Sequence, residues 1–165
     1  MTRHSLLVGL AVAIASVAAC TEPRAAAVAS APTPSLEARL ELSDSAPHAG
    51  ESLFVRLRLD GPTATKIVSF TGRLAYDSST LRYISESAIA DGGTRVSNPA
   101  TGLIRAAGVS ANGFAGGLLA EYRFVVVNPQ GVKRLVLGID ELHDQSHVDA
   151  SKSVIVRRGA GLSIP

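Results

Sequence analysis

Hydrophobic and polar residues alternate with a period of two along most of the chain after Leu36. The clearest example spans residues 52–59, and its apolar set is Leu53, Val55, Leu57 and Leu59. Because successive side chains of a strand point to opposite faces, this alternation predicts half-buried β-strands. Phe54 interrupts the polar side of this segment, so we expect a loop or a partner to cover it. Helical spacing does not recur in the region, which predicts an all-β domain.

Further segments show the same alternation. A first, weak candidate strand is Ala38–Leu42, and the last is Val154–Val156. Between them the predicted inward residues are Val68, Phe70, Leu74 and Tyr76, then Ile104, Ala106 and Gly108, then Leu118, Ala120, Tyr122, Phe124 and Val126, then Leu135, Leu137 and Ile139.

Turn-forming residues separate these segments. They lie at Pro47–Gly50, Asp60–Pro62, Asp77–Thr80, Asp91–Gly93, Asn98–Pro99 and Asn128–Gly131. Spacings of roughly 8–15 residues between turns favour a sandwich or jelly roll over an α/β fold, which needs helical crossovers. Residues 78–87 have room for one helical turn. We therefore predict a single antiparallel β-sandwich.

The first twenty residues have the pattern of an export signal. Arg3 supplies a positive charge, and Leu6–Val17 is apolar but shorter than the ~20 residues that a membrane-spanning helix needs. Residues 17–20, Val-Ala-Ala-Cys, resemble the lipobox of bacterial lipoproteins, whose cysteine becomes the lipidated first residue. The resemblance implies a signal peptide over residues 1–19 and lipidation of Cys20. The alternative is an ordinary secretory signal with a chance cysteine.

This pattern also predicts the location of the protein. Lipidation of Cys20 implies an extracytoplasmic protein that contacts the membrane only through its lipid anchor. Thr21, rather than Asp, follows the cysteine, so the sorting rule of lipoproteins favours the outer membrane where the cell has two membranes. Residues 20–35 are rich in Ala, Pro, Ser and Thr, which predicts an extended tether. We expect the folded domain over residues 36–158 and a short tail over 159–165.

Charge and cysteine content exclude some alternatives. Sixteen Lys and Arg against fourteen Asp and Glu leave a net charge of +2, and the basic residues are scattered. No dense basic run exists that would follow a phosphate backbone, so we do not expect nucleic acid as a partner. Cys20 is the only cysteine, which rules out a disulfide within the chain.

Several local motifs follow one another in the order found in cohesin domains. Residues 50–55, 68–77 with Leu81, 102–108, 117–124 and 135–144 resemble successive cohesin strands. The segment 68–81 is similar to the pattern F-x-x-x-L-x-Y-D-x-x-x-L, and 102–108 to G-x-I-R-x-A-G. Tyr122 departs from the family, which has Ile or Leu there. The first strand and the end of the chain after Arg157 also resemble the family less.

The resemblance covers about residues 37–157 and implies a jelly roll of about nine strands, a fold shared with some carbohydrate-binding modules. It also implies a binding function, because cohesins of cellulosomes hold dockerin modules. The residues that select a dockerin lie on a variable sheet face, so the ligand-binding residues of this chain stay unknown at this stage.

The densest group of ionisable residues lies late in the chain. It consists of Asp140, Glu141, His143, Asp144, His147 and Asp149. Carboxylate and imidazole groups can bind calcium or zinc. However, the two histidines share a face only on a helix, and the acidic residues lack the spacing of a calcium loop. A solvated loop between strands is the favoured interpretation, so no cofactor is expected and calcium is the only candidate.

No catalytic motif is recognisable. The chain lacks a G-x-S-x-G elbow, and no nucleophile stands beside a base, so we predict that it is not an enzyme. It has no Trp, and Tyr76 and Tyr122 are predicted to face inward, which leaves Tyr83 as the only candidate for an exposed sugar-stacking ring.

Three functions follow as hypotheses. The first is a surface-tethered, non-catalytic module that binds a protein, of the dockerin type. The alternative is a carbohydrate-binding envelope lipoprotein linked to the breakdown or uptake of polysaccharide. A purely structural accessory is the third.

Overall fold

The structure is a computed structural model and describes residues 36–62, 66–114 and 117–157. The predicted signal peptide (1–19), the lipidation site Cys20, the predicted tether (20–35) and the tail (159–165) lie outside the described residues. No helix formed by the described residues has the length and hydropathy to cross a membrane.

The described part of the chain forms nine strands. They are β1 (Leu36–Leu42), β2 (Ser52–Asp60), β3 (Ile67–Ala75), β4 (Leu81–Glu86), β5 (Thr94–Ala100), β6 (Leu103–Val109), β7 (Leu118–Val126), β8 (Val136–Asp144) and β9 (Val154–Arg157). Short 3₁₀ turns lie at Pro129–Gly131 and Ser151–Ser153. The predicted all-β fold is confirmed.

The strands form two sheets. The five-stranded sheet has the order β4-β7-β2-β1-β9, and the four-stranded sheet has the order β5-β6-β3-β8. All neighbouring pairs are antiparallel except β1 and β9, which pair in parallel. The predicted antiparallel β-sandwich is confirmed, with one parallel pair that joins the first strand to the last.

The core lies between the sheets and is built from the alternating residues of each strand. In β2 the predicted inward set (Leu53, Val55, Leu57 and Leu59) is buried, with at most 7% exposure. In the four-stranded sheet, Phe70 of β3 lies opposite Gly108 of β6. A Cβ at position 108 would come within 2.4 Å of the Phe70 ring, so only glycine leaves room for that ring.

Two irregularities shift the inward set by one residue. The pairing of β3 with β8 skips Val68, so Ile67 is buried and Val68 only half-buried. The pairing of β2 with β7 skips Leu119, so Leu119 is buried beside Ala120 while Leu118 is half-buried. The predicted inward positions Val68 and Leu118 are therefore wrong. An extra residue in one strand moves its neighbours to the opposite face, which strict alternation does not predict.

The segment with room for one helical turn holds a single turn followed by a strand. The backbone amides of Thr80 and Leu81 both donate to the Asp77 carbonyl at 2.9 Å, and the second of these bonds has the i to i+4 spacing of a helical turn. The Asp77 carboxylate accepts hydrogen bonds from the backbone amide and hydroxyl of Ser79, at 2.9 and 2.6 Å. These bonds hold the pKa of Asp77 below its usual value. Leu81, only 1% exposed, then starts β4.

Residues Asn98–Pro99, predicted as a turn, lie inside β5 instead. β5 is an edge strand of the four-stranded sheet, where a proline without a backbone N–H does not break a ladder. This strand cannot be recognised from hydrophobic alternation, because its partly buried residues are Arg95 and Ser97 rather than large hydrophobic side chains.

A buried ion pair fastens β5 to the opposite sheet. Arg95 contacts both carboxylate oxygens of Asp91 at 2.8 and 2.6 Å, and the two side chains are 6% and 4% exposed. Arg95 also donates to the backbone carbonyls of Leu118 and Leu119 at 2.9 and 2.6 Å. Its guanidinium lies 4.8 Å from the centre of the Phe114 ring. The inward hydrogen bonds of this arginine replace the apolar contacts that β5 lacks.

Replacing Arg95 by Met should destabilise the domain by about 3–5 kcal/mol, because Asp91 would stay buried without its partner. Urea unfolding of the full chain measures this loss. The control Arg82→Met removes an exposed arginine of β4 and should cost within about 0.5 kcal/mol. Adding Asp91→Asn to Arg95→Met should recover part of the loss. Equal losses for Arg95→Met and Arg82→Met would contradict the role given to this ion pair.

Tyr122 of β7 is fully buried in the core. Its hydroxyl lies 3.2 Å from the Ser97 hydroxyl of β5. Burial raises the pKa of Tyr122 to about 12. A phenol whose folded pKa is raised stabilises the fold below its unfolded pKa of about 10, and this contribution is lost as the pH rises from 10 to 12.

Tyr122→Phe should therefore flatten the alkaline loss of stability. Between pH 8 and pH 11 the wild-type chain should lose about 1 kcal/mol more than the variant, since only the wild type has this phenol to ionise on unfolding. Urea unfolding at the two pH values measures the difference. An identical pH dependence in both proteins would show that Tyr122 titrates normally in the folded state.

Candidate partner-binding face

The two sheets present different outer faces. On the five-stranded sheet, oppositely charged side chains form ion pairs, one within β1 and the others across neighbouring strands. The ion pairs are Arg157–Glu37 at 3.2 Å, Arg39–Asp60 at 2.5 Å, Arg39–Glu41 at 2.8 Å, Arg58–Glu41 at 2.8 Å and Arg56–Glu121 at 2.5 Å. Each carboxylate of this network thus already has a cationic partner. Covering the face would remove these paired charges from water, which is costly.

Large apolar residues interrupt this charged face. Ile155 of β9 lies opposite Glu37 and is 45% exposed. Phe54 of β2 is half-buried and lies opposite Arg123 of β7 in the strand register. Arg123 bonds the Ser52 hydroxyl at 3.0 Å. Phe54 therefore keeps part of its surface in contact with water on a mostly charged face.

The outer face of the four-stranded sheet is built from smaller and less charged residues; we call it the β5-β6-β3-β8 face. Its centre is formed by Ser69 and Thr71 of β3 and by Ala107 of β6. Val96 of β5 lies opposite Ala107, and Val109 of β6 lies opposite Ser69. These two valines are diagonal neighbours on adjacent strands and are 64% and 59% exposed.

Two shallow depressions lie on this face. One, of about 200 Å³, is lined by Ser69, Thr71, Val96, Val109, Glu141 and His143 among others. The other, of about 340 Å³, lies beside it and includes Asn98, Arg105 and Asp140. Exposed apolar side chains around a floor of small residues leave space for side chains of another molecule, and contiguous exposed apolar surface is typical of interaction sites.

The charged residues of the β5-β6-β3-β8 face form one ion pair among the described residues, between Arg73 and Asp140. Asp140 lies at an irregularity of β8, where the pairing with β3 skips one residue. This places Asp140 and Glu141 both in exposed positions instead of on opposite faces.

The residues predicted as a metal site are divided between a strand and a turn. Asp140, Glu141, His143 and Asp144 belong to β8, so the prediction of a solvated loop is wrong for them. His147 and Asp149 follow in a tight turn, where His147 has a positive φ of 60°. His143 and Asp149 pair as an isolated bridge.

The polar groups of these residues have other partners. The Asp144 carboxylate accepts from the amides of Ser146 and Val148, at 2.8 and 3.1 Å. Asp149 accepts from the Ser151 amide at 2.9 Å, which holds the pKa of Asp149 below its usual value. His143 lies 3.4 Å from the Ser69 hydroxyl. The described residues contain no group of three or more His, Cys, Asp or Glu side chains arranged to hold a metal ion.

The chain's three tyrosines meet on one side of the core. The ring of Tyr83 packs edge-on against Tyr122 and Phe124, with centroids 6.2 and 5.9 Å apart. Tyr76 packs in the same way against Phe124, and its hydroxyl donates to the carbonyl of Ala100. Tyr83, the only candidate for an exposed ring, is half-buried in this aromatic cluster.

Comparison with known proteins identifies the fold. No family model matches the chain, and no curated protein matches it. Among solved structures, it is similar to the type II cohesin A11 of Bacteroides cellulosolvens, with a TM-score of 0.59 and 12% identity, over 73% of this chain and 95% of that one. The sixth cohesin of scaffoldin B from Acetivibrio cellulolyticus, in complex with a Cel5 dockerin, gives a TM-score of 0.57 and 15% identity over 76% and 99%.

A third similar structure is the cohesin module of a family 33 glycoside hydrolase from Clostridium perfringens. Its TM-score is 0.55 and its identity 11%, over 77% of this chain and all of that one. The strand topology and these similarities define a cohesin-like jelly roll. The fold predicted from the local motifs is thereby confirmed.

Sequence reasoning did not find the residues of the β5-β6-β3-β8 face. Val96 lies in a strand that was not predicted, and Val109 ends a strand whose outward side carried no distinctive pattern. The signal that was available is the alternation of Thr94, Val96 and Asn98 with Arg95 and Ser97.

Proposed function

We propose that this protein is a non-catalytic binding module that docks a protein partner on its β5-β6-β3-β8 face. The observation that carries the proposal is the contrast between the two outer faces. The five-stranded face carries ion pairs from β9 across to β7 and exposes Ile155 at its edge, whereas the β5-β6-β3-β8 face exposes Val96 and Val109 around small central residues.

The energetics favour the same face. Fully burying a valine side chain contributes about 1.5–3 kcal/mol. Burying Val96 and Val109 would not require an ion pair to be broken. Protein interfaces typically have a core depleted of charge and a polar rim. Asn98 lies two residues from Val96 on β5, and Arg73 lies two residues from Thr71 on β3. Both positions are suited to such a polar rim.

Structural neighbours support a protein as the partner by analogy. The scaffoldin B cohesin was solved with a Cel5 dockerin, and another similar structure, from Clostridium thermocellum, is a type I cohesin–dockerin complex. We therefore propose a dockerin-like segment as the partner class. Because a fold does not by itself fix a function, this inference depends on the surface described above as well as on the similarity.

We further propose that the module is lipid-anchored outside the cytoplasm. The support is the lipobox-like segment that ends at Cys20, the only cysteine of the chain, and the Pro- and Ala-rich residues that separate it from β1. In a cell with two membranes the expected location is the outer membrane. The anchor would hold the binding face at the cell envelope, with the lipid as the only contact to the membrane.

Val96→Glu should abolish capture of the protein partner, because it places a charge in the centre of the proposed interface. The bait is the full chain with a C-terminal affinity tag, incubated with the envelope and secreted fractions of the source cells, with and without calcium. Captured proteins are identified by mass spectrometry, produced separately and tested for saturable binding. The matched control is Val127→Glu, which charges a valine of similar exposure (51%) outside this face.

Equal binding of a purified partner by Val96→Glu and by wild type would contradict the proposed face. A parallel array of polysaccharides tests the alternative of carbohydrate binding. Retention of a glycan in the absence of any protein partner would overturn the protein-binding function and leave the cohesin resemblance as one of fold alone.

Cys20→Ala should release the chain from the membrane fraction, because the substitution removes the only thiol that can carry lipid. The measurement is fractionation of cells that express the tagged full chain, with intact mass spectrometry of the purified protein. Wild type should carry the added mass of acyl chains and the variant should not. An unlipidated wild-type protein that is cleaved at another position would favour the ordinary secretory signal.

A further inference from the structure

Two arginines lie directly opposite each other on the β5-β6-β3-β8 face. Arg73 of β3 and Arg105 of β6 are cross-strand partners, and both are exposed. Like charges directly opposite each other on a sheet are unfavourable. The fold compensates one of these charges and leaves the other.

Arg73 is neutralised by β8. Its guanidinium forms an ion pair with Asp140. The side chain reaches this carboxylate by passing over Gly138, where a Cβ would lie only 3.0 Å from the Arg73 Nε. A glycine at position 138 and the irregularity that exposes Asp140 thus draw Arg73 towards β8 and away from Arg105.

Within the described part of the chain, the charge of Arg105 is unpaired. Its cross-strand neighbour on the other side is the neutral Asn98 of β5. Among the residues that the structure describes, no acidic side chain forms an ion pair with Arg105. It lines the larger depression of the face together with Val96 and Ala107. Asp140 also lines this depression, but its charge is already balanced by Arg73.

Glu141 is the complementary case. It is exposed on β8, opposite Thr71, and takes part in no ion pair within the described part of the chain. It lines the smaller depression, on the other side of Thr71 and Ala107. Two strand spacings and two residues along the strands separate Arg105 from Glu141, which places their Cα atoms roughly 12 Å apart.

We propose that Arg105 and Glu141 select the protein partner and fix its orientation on this face. An acidic side chain of the partner binds Arg105, and a basic one binds Glu141. The inference rests on the proposed function, because it needs a protein docked on the β5-β6-β3-β8 face. A partner rotated by half a turn would set like charges together, and such contacts reject wrong partners and wrong orientations.

The apolar surroundings strengthen this selection. Docking over Val96 and Ala107 would exclude water from the neighbourhood of Arg105, and a charge that loses water without gaining a partner is unfavourable. Because Arg105 and Glu141 have opposite charges, their sum is zero and contributes little to the selection of a partner. The positions of the two charges on the face therefore matter more than their sum.

The experiment uses the full chain and, as the probe, the protein that it captures from envelope and secreted fractions, produced and purified separately. Dissociation constants are measured for wild type, Arg105→Glu, Glu141→Arg and the double variant. We expect each single variant to weaken binding at least tenfold and the double variant to bind more weakly than either. Arg82→Glu, an equal charge change on an exposed residue of β4 in the other sheet, should stay within twofold of wild type.

A charge reversal in the partner provides a second test. If an acidic residue of the partner contacts Arg105, its reversal to Arg should restore binding to Arg105→Glu and weaken binding to wild type. Recovery of wild-type affinity in the double variant Arg105→Glu/Glu141→Arg would overturn the inference, since it would show that only net charge matters. Binding within twofold of wild type by both single variants would also overturn it.

Failure of this inference and failure of the proposed function give different results. If Val96→Glu abolishes binding while Arg105→Glu and Glu141→Arg do not, the face is correct and the charge selection is wrong. If Val96→Glu binds as wild type does, or if no protein partner is captured, the proposed docking face fails and the inference fails with it.

Discussion

The hydrogen bonds of Arg95 hold the edge strand on which the proposed binding face depends. The residues of β5 that face the core are Arg95 and Ser97, so the strand has little apolar surface with which to join the core. Arg95 compensates by donating hydrogen bonds to Asp91 and to two backbone carbonyls of β7, a strand of the opposite sheet. Because side chains alternate along a strand, the same attachment turns Val96 outward. The buried hydrogen bonds of Arg95 thus hold Val96 on the outer face of the sandwich.

The two sheets share one core but have different surfaces. The outer side of the five-stranded sheet carries ion pairs, most of which join neighbouring strands. Each pair alone contributes little to stability, but the pairs are connected through shared residues such as Arg39 and Glu41. The four-stranded sheet leaves Arg105 and Glu141 without such partners among the described residues and keeps the centre of its face small. This asymmetry is what distinguishes a surface that stays in water from one that can be covered by a partner.

Most of the fold could be predicted from the sequence because β2, β3, β6 and β7 carry apolar residues on alternate positions. β5 could not be predicted, since the residues that anchor it are polar and act through partners distant in sequence, such as Leu119. The extra residues Val68 and Leu119 shift the inward face, and only the pairing of strands reveals them. The proposed binding face could not be predicted either, because it is formed by four strands whose order in the sheet does not follow from any local sequence pattern. Asp140, grouped with His143 by sequence, instead pairs with Arg73, which lies far away along the chain.

The central claim is that a protein partner covers the β5-β6-β3-β8 face, and footprinting tests it most directly. The full chain, alone and bound to its purified partner, is labelled with a photochemical carbene, and the loss of labelling is mapped by mass spectrometry. Labelling should fall at Val96, Val109 and Thr71 and stay unchanged at Arg56 and Arg123 on the five-stranded face. Protection of Arg56 and Arg123 with full labelling of Val96 and Val109 would contradict the account.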